Sequence, residues 1–474
     1  MIGRIVFRVD ANQEIGFGHL VRCISISETL TDVTKVVYST EDLHDFIEGQ
    51  NDAHLTFNHL TDSHRFIDAI KSDDIVILDG YQFDTSYHNM VRSTGAKLMV
   101  IDDLANQPIH SDVIVNPNPL IESSNYQTSV STQFCIGLNY ALLRSPFIEL
   151  AQEKEKTKTK NSLLICFGGS DPLNKTEIAV NAALNSSIEF SEINIVLGPG
   201  YKNQLQINEL AEGTNRAQVH IAIDASEMAA LMARNEYAII PCSSIFLEAL
   251  TADMKILSGY YVDNQKYVYD YYLKNNWFAD AKSFTETDIK TALPELTKRS
   301  ISINVIDGKS MGRIKKVIQL LARENASTMR RAVLEDIRTT FEWANLPETR
   351  LYSLNKDDIP WINHEKWFIK KIASENCWYG ILEHDSKLRG SIRFDIEDGI
   401  ALISYLVDPQ AYRMGFGTLL LKMGIDGLLR EKESIREIHG VVMEENFASM
   451  KTFEKFGFEL SSSNGMPLYI KKLT

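Results

Sequence analysis

His19 is the residue of this chain best placed to move a proton. It follows Gly16 and Gly18 in the run IVFRVDANQEIGFGHLVRC, after an apolar stretch that reads as a buried strand over 5–9. The next stretch places Leu20, Cys23, Ile24 and Leu30 near one helical face. His19 is therefore expected at a helix start, beyond the carboxyl end of the first strand. A helix N-terminus disfavours a charged imidazole, and a neutral imidazole is what a general base requires. Acids close two further apolar runs: Asp79 in DIVILDGYQFD, followed by Tyr81, and Asp102 with Asp103 in LMVIDDLAN. Such acids serve chemistry or cap the helices that follow, and residue type alone leaves both open. Gly168-Gly169-Ser170-Asp171 after a strand is a generic phosphate cradle. Ser243, Ser244 and Glu248 open another helix, where hydroxyls cap or bind and a carboxylate favours the dipole or accepts two ribose hydroxyls. Asn264 and Gln265 follow a later strand as a pair of amides. Near the end, Gly415-Phe416-Gly417-Thr418 opens a strongly apolar helix whose first N–H groups suit a pyrophosphate.

The elements that position these residues alternate. Short apolar runs at 5–9, 35–39, 75–79, 98–102 and 113–116 read as parallel strands buried on both faces. The charged run 152–160 reads as a solvated connector. A second alternating series then begins with strands at 163–167, 193–197, 220–223, 237–240 and 255–260, and an amphipathic helix over 308–323 closes it. From about residue 329 the order changes to helices at 334–344 and 364–374, then strands at 378–382, 390–395 and 400–407. Open α/β sheets bind ligands beyond the carboxyl ends of their strands, which is where the residues above fall. The expected units are 1–150, 151–326 and 327–474, in line with a prior of roughly 150 residues per domain.

Composition narrows the function. A net charge of -14 argues against broad nucleic-acid binding. No apolar run approaches the ~20 residues of a membrane span, and the first residues, MIGRIVFRVD, lack the long apolar core of a signal peptide. The five cysteines are scattered and form no C-x-x-C pair, which favours a reducing cytoplasm over a disulfide framework. No metal-ligand spacing is apparent, so no metal is expected, and G-x-G-H lacks the spacing of a dinucleotide fingerprint.

The stretch D-A-x-x-x-I-G-x-G-H-x-x-R-C, carried by Asp10, Ala11, Ile15, Gly16, Gly18, His19, Arg22 and Cys23, resembles the opening signature of the UDP-2,4-diacetamido-2,4,6-trideoxy-β-L-altropyranose hydrolases of pseudaminic acid biosynthesis. The resemblance implies a GT-B-like pair of Rossmann-like doubly wound domains. It implies that His19 activates a water that inverts the anomeric carbon and that Tyr81 helps position that water, with Asp10, Gly18 and Arg22 around the substrate. It also implies that Gly169 and Ser170 contact a diphosphate, that Ser243, Ser244 and Glu248 hold uridine diphosphate, and that Asn264 and Gln265 reach the sugar.

The C-terminal unit is similar to the GNAT acetyltransferases, on the glycine loop and on Asn446-Phe447-Ala448-Ser449 followed by Phe453-Glu454-Lys455-Phe456-Gly457-Phe458. That implies acetyl-CoA as co-substrate, held by Leu406, Val407, Arg413, Gly415, Gly417, Thr418, Asn446 and Ser449. Two departures stand out. Tyr412 occupies a place usually held by Gln or Arg, with Arg413 beside it, and Phe453 replaces a frequent tyrosine acid. The general base is unassigned among Glu444, Glu445, His439 and Tyr405. The combined expectation is a bifunctional nucleotide-sugar enzyme acting on a UDP-linked amino sugar. The alternative is a GT-B glycosyltransferase, or a hydrolase of a related 2,4-diamino sugar, with a degenerate, non-catalytic GNAT unit.

Overall fold

A computed structural model describes residues 3–473 except 13–14, 50–51, 154–155, 301–302, 304, 354 and 464, and the side chains of Asp45, Asn264, Tyr267 and Ser463 lie outside it. The described residues form three sheets. The first comprises β1 (Ile5–Val9), β2 (Lys35–Ser39), β3 (Leu55–His59), β4 (Ile75–Asp79), β5 (Lys97–Ile101), β6 (Val113–Asn116) and β7 (Gln133–Ile136), in the order β3-β2-β1-β4-β5-β6-β7. The second comprises β8 (Thr159–Cys166), β9 (Glu192–Leu197), β10 (Ala217–Ile221), β11 (Asn235–Ile239), β12 (Lys255–Ser258) and β13 (Ala279–Asp280), in the order β10-β9-β8-β11-β12-β13. Every pairing in these two sheets is parallel. The cause is visible in β1 and β4, IVFRV and IVILD, where all five residues of each are buried between helical layers.

The strands expected at 5–9, 35–39, 75–79 and 113–116 are β1, β2, β4 and β6. β3 and β7 were not expected. They lie at the two edges of the sheet, and their sequences, LTFNH and QFCI, lack the continuous apolar run of a central strand.

Two helices exchange between the layers. Helix Ser145–Gln152 places Phe147 and Leu150 in a core with Met228 and Phe246 of the second sheet's unit. Helix Ser310–Asn325 returns to the first unit, packing Met311, Ile314, Ile318 and Leu321 against Ile5, Leu20, Ile75 and Met99. Each such side chain contributes about 2 kcal/mol through removal from water, so this crossing is a strong joint.

The third sheet comprises β14 (Ser327–Arg331), β15 (Cys377–His384), β16 (Lys387–Glu397), β17 (Ile400–Val407), β18 (Glu437–Val441), β19 (Glu459–Ser463) and β20 (Met466–Lys472), in the order β14-β15-β16-β17-β18-β20-β19. All its pairings are antiparallel except β17 with β18. β14 starts two residues after helix Ser310–Asn325 ends, so the third unit is joined directly to the first unit's helix. There Lys422, 3% exposed, donates to Asp112 of the first unit at 2.6 Å and to Glu324 at 2.7 Å, and Lys97 donates to Glu324 at 2.5 Å. Burial pushes the Asp112 carboxyl up, but Lys422 and Lys97 outweigh it and hold it at about 2. Buried charges of this kind fix one docking orientation, because any other leaves them unpaired. Among the described residues no helix is long and apolar enough to cross a membrane.

Candidate functional site

In the first sheet the chain reverses direction across the sheet between β1 and β4, and ligands of open α/β sheets bind at such a switch point. His19 follows β1 there, in the first turn of helix Gly18–Glu28, and Asp79 ends β4 beside it. Gly16 takes φ +85°, which lets the loop turn tightly enough to seat the helix. A Cβ at Gly18 would meet nothing within 4 Å, so the backbone beside His19 faces open space.

The His19 ring is 8% exposed, with Nδ1 2.7 Å from Asp79 Oδ1. Asp79 is fully buried, and an ionised carboxylate only accepts, so Nδ1–H donates to it, which in the neutral imidazole puts the lone pair on Nε2. Among the described residues no hydrogen bond occupies Nε2. Arg22, one turn along the helix, locks the carboxylates. Its Nη2 donates to Asp79 Oδ1 at 2.6 Å, and its Nη1 donates to Asp103 Oδ1 at 2.8 Å. Burial raises the Asp103 carboxyl, but the Arg22 guanidinium outweighs it and holds that group below the usual carboxylate range. Tyr81 packs its ring against His19 at 4.9 Å between centroids and donates its hydroxyl to Asp103 at 3.1 Å. Beside it a cavity of about 310 Å3 is lined by Tyr81, Asp102, Asn106 and Gln107. The arrangement can hold a neutral imidazole in one tautomer with its free nitrogen as a proton acceptor.

Asp79 and Asp103 were the unassigned members of this group. Their signal was an acid at the carboxyl end of a buried run. Asp102 orders the loop, accepting from the Ala105 N–H and the Tyr126 hydroxyl, both at 2.8 Å. Asp10 is placed for support: its carboxylate accepts from Arg8, Ser39, the Thr40 N–H and Gln82. Burial works against ionisation of Asp10, but Arg8 leads the groups that hold its carboxyl at about 2.

The second sheet has its switch point between β8 and β11. Gly169 and Ser170 follow β8, and Ser243 with Ser244 follow β11, so these four candidates share one sheet edge. The Gly169 carbonyl accepts from the Gly200 N–H at 2.9 Å. Asp171 caps the helix Lys175–Leu184, accepting from the N–H groups of Lys175 and Thr176 at 2.9 and 2.7 Å. That helix start is thus filled by the chain itself, whereas Ser243 makes no side-chain cap on helix Ser244–Thr251. Glu248 is 6% exposed and takes a two-pronged pair from Arg144, at 2.7 and 2.8 Å. Its carboxylate is held by the crossing segment, a partner the sequence did not reveal. Gln265 accepts from the Tyr261 N–H at 3.2 Å and orders the turn into helix Asp263–Lys274. Asn264 lies in the first turn of that helix, with its side chain outside the described residues.

In the third sheet β17 and β18 pair only over Ile400–Leu402 and Glu437–His439, and β17 then continues to Val407 without that neighbour. The two strands splay, opening a slot beside Leu406 and Val407. Next comes the loop 408–415, in which Arg413 takes φ +62° and Gly415 φ +88°, and then helix Phe416–Glu431. Gly415, in the left-handed region, precedes the helix without a side-chain cap, and the first N–H groups of a helix have no partner within it. Residues 327–459 match the family described as acetyltransferase (GNAT) domain. The C-terminal unit is a GNAT domain. A protein of Methanocaldococcus jannaschii, MJ1062, is 23% identical over 490 residues, with 96% of each chain covered. The N-terminal region is similar to the UDP-2,4-diacetamido-2,4,6-trideoxy-β-L-altropyranose hydrolase of Campylobacter jejuni, 27% identical over 270 residues, which cover 56% of this chain and 93% of that protein. The spore coat polysaccharide biosynthesis protein SpsG of Bacillus subtilis is 22% identical over 263 residues, 54% of this chain and 77% of that protein.

Within the GNAT domain, Gly417 leaves room beside Val407 and Tyr405, since a Cβ there would lie 3.6 and 3.7 Å from them. Thr418 is buried under the helix start. Asn446 caps helix Phe447–Lys455 by accepting from the Ser449 N–H at 3.1 Å. Phe453 is 2% exposed, stacked on Tyr469 and edge-on to Phe458, so its place is packing. The Tyr405 hydroxyl instead lies at the slot, 2.9 Å from Ser449 Oγ, and burial raises its pKa so that it keeps its proton. His439 is tied to Glu437 at 2.7 Å, and Glu444 and Glu445 are exposed on the following loop.

Proposed function

We propose that this chain carries out two consecutive steps on one UDP-linked sugar. The GNAT domain transfers an acetyl group from acetyl-CoA to the 4-amino group of UDP-linked 4-amino-4,6-dideoxy-β-L-AltNAc. The two Rossmann-like units then hydrolyse UDP-2,4-diacetamido-2,4,6-trideoxy-β-L-altropyranose to the free sugar and UDP. The units in this reading are 1–150, 151–326 and 327–474, with helices Ser145–Gln152 and Ser310–Asn325 crossing between the first two, and the setting is the cytoplasm, which suits five buried free thiols. The similarity to the Campylobacter hydrolase supports the substrate class.

The observation that carries the hydrolytic reading is the His19 ring fixed by Asp79 with Nε2 open. In this mechanism Gly169, Ser170, Ser243 and Ser244 hold the diphosphate and uridine, Glu248 meets the ribose with the lone pairs that Arg144 leaves open, and Asn264 with Gln265 meets the sugar. Tyr81 confines a water between His19 and the anomeric carbon. As the water oxygen bonds to that carbon, its proton passes to His19 Nε2. The bond to the diphosphate oxygen breaks, and UDP leaves with the electron pair from the opposite face. The configuration inverts. Asp79 and Asp103 stabilise the imidazolium formed. Run in heavy-oxygen water, the reaction should place the label in the sugar; label in UDP would mean attack at phosphorus.

For the acetyl transfer, Leu406, Val407, Arg413, Gly415, Gly417, Thr418, Asn446 and Ser449 hold acetyl-CoA, with its pyrophosphate on the helix start. Burial of Phe453 favours a second reading, a GNAT domain without turnover, since phenylalanine has no proton to give the departing thiolate. Tyr405 answers it, as its protonated hydroxyl lies between the starts of the two flanking helices. Release of free coenzyme A on mixing the chain with acetyl-CoA and the 4-amino UDP-sugar decides between these readings.

A further inference from the structure

A cavity of about 410 Å3 lies on the face of β15, β16 and β17 that carries Tyr379, Ser391, Arg393, Ser404 and Leu406. Helices Ile337–Ala344, Pro347–Leu351 and Trp361–Ala373 roof it through residues such as Ala344, Arg350 and Trp367. It reaches Leu406, beside the slot between β17 and β18, so an amine held in it can meet an acetyl group entering from the other side. Two guanidinium groups line this space and no carboxylate does, in a chain whose net charge is -14. That contrast runs against the overall composition and needs an explanation.

Arg393 supplies it. Its Nε donates to Asp395 Oδ2 at 3.1 Å, and its guanidinium lies over the Trp367 ring at 4.8 Å. Among the described residues its two terminal nitrogens have no acceptor. Asp395 does not neutralise it, because the same carboxylate also takes Lys371 at 2.7 Å. Two cations on one carboxylate leave positive charge in excess at this wall. Arg350 adds to it, with its Nε buried and without a partner among the described residues. The remaining polar lining includes hydroxyls and an amide, as from Thr340, Ser404 and Asn363, which suit a sugar, and the His364 imidazole, whose pKa burial lowers. A planar guanidinium stacked on an aromatic ring with two parallel N–H groups free is a receptor for phosphate oxygens.

We propose that Arg393, held over Trp367, reads a phosphate of the acceptor, so that the GNAT domain acetylates its amine while the sugar is still joined to the nucleotide and passes over the free amino sugar. This rests on the acetyltransferase reading above. It makes acetylation the earlier of the two steps, since hydrolysis removes the group that Arg393 recognises. It also sets the cavity against polycationic amines, which meet two guanidinium groups and no acid.

The test uses the full chain and follows coenzyme A release with three acceptors: the UDP-linked 4-amino sugar, the same sugar without UDP, and spermidine. The wild type should use the UDP-linked sugar with a kcat/KM at least about a hundredfold above the other two, the scale of one or two charge-assisted hydrogen bonds. Arg393→Gln should lose on the order of 10- to 100-fold on the UDP-linked sugar, chiefly in KM, and leave the free sugar unchanged, with Arg393→Lys recovering part. UDP alone should compete with the acceptor in the wild type, a readout that needs no variant. Equal use of the linked and free sugars, or preference for spermidine, would overturn the role of Arg393 while leaving an acetyltransferase. So would an equal loss on both sugars in Arg393→Gln. Acetylation of none of the three would overturn the acetyltransferase reading itself.

Discussion

The polar groups around His19 and those around Arg393 are organised in opposite ways. At His19, Asp79, Arg22, Asp103 and Tyr81 bond to one another, and the open valence among the described residues is the Nε2 lone pair. In the GNAT cavity the two terminal nitrogens of Arg393 and the Nε of Arg350 are left without partners. The difference follows from what each site must hold. A base that works on a water molecule has to be fixed before the water arrives, since water brings almost no binding energy of its own to orient anything. A pocket for a large anionic acceptor keeps its donors unpaired, so that the ligand satisfies them and binding is coupled to recognition.

That contrast can be broken most directly at the base. His19→Ala should lower UDP release by on the order of 10³-fold with little change in KM, and leave acetyl transfer intact. Asp79→Asn, which keeps the shape but frees the imidazole to adopt the wrong tautomer, should cost about a hundredfold in the same assay, the low end of what a positioned general base contributes. A His19→Ala chain that still released UDP at a near-normal rate would dissolve the comparison.

Saturated bonding should also show in the acid stability of the first unit. The folded-state value of Asp10 is about 2 against an ordinary 3.8. Its contribution, about 2 kcal/mol, is fully present above pH 4 and disappears as the pH falls toward 2. Unfolding measured between pH 5 and 2.5 should therefore lose stability more steeply in the parent than in Asp10→Asn, which lacks that titration. Identical slopes would mean that the bonds around Asp10 contribute nothing net.

The smallest effect is expected at the slot. Tyr405→Phe keeps the ring and removes the proton, so coenzyme A release should fall about tenfold while UDP release is unchanged. A loss of both activities would instead point to a packing role for the ring.

How much of this was legible in the chain depends on how far apart the cooperating residues lie. β1 and β4 announced themselves as apolar runs, His19 and the Gly415 loop stood out by local spacing, and Tyr81 only through the resemblance to the hydrolase family. Arg22 meets Asp79 across 57 positions and Asp103 across 81, and Arg144 meets Glu248 across 104. No window of sequence contains both members of such a pair, so Glu248 read as a free carboxylate although the fold had already engaged it. Arg393 looked like any charged residue of a half-buried strand until Trp367 was brought over it. The edge strands β3 and β7 were missed for a related reason: with one flank unpaired they tolerate polar residues, and the apolar signal that marks a central strand fades.

Helix Ser310–Asn325 does more than close the first unit. Arg323, near its end, donates to the Met414 carbonyl and lies over Phe416, while Glu324 anchors Lys422. The turn assigned to the acetyl donor is therefore braced by a rod whose other face is sunk in the neighbouring hydrophobic core. A cut at residue 326 would free two pieces of DNA-encodable size, but neither would carry the surface it was shaped against: one would bare a carboxylate pair, the other an ammonium on a greasy helix. Engineers wishing to graft either activity elsewhere would need to take the rod with both.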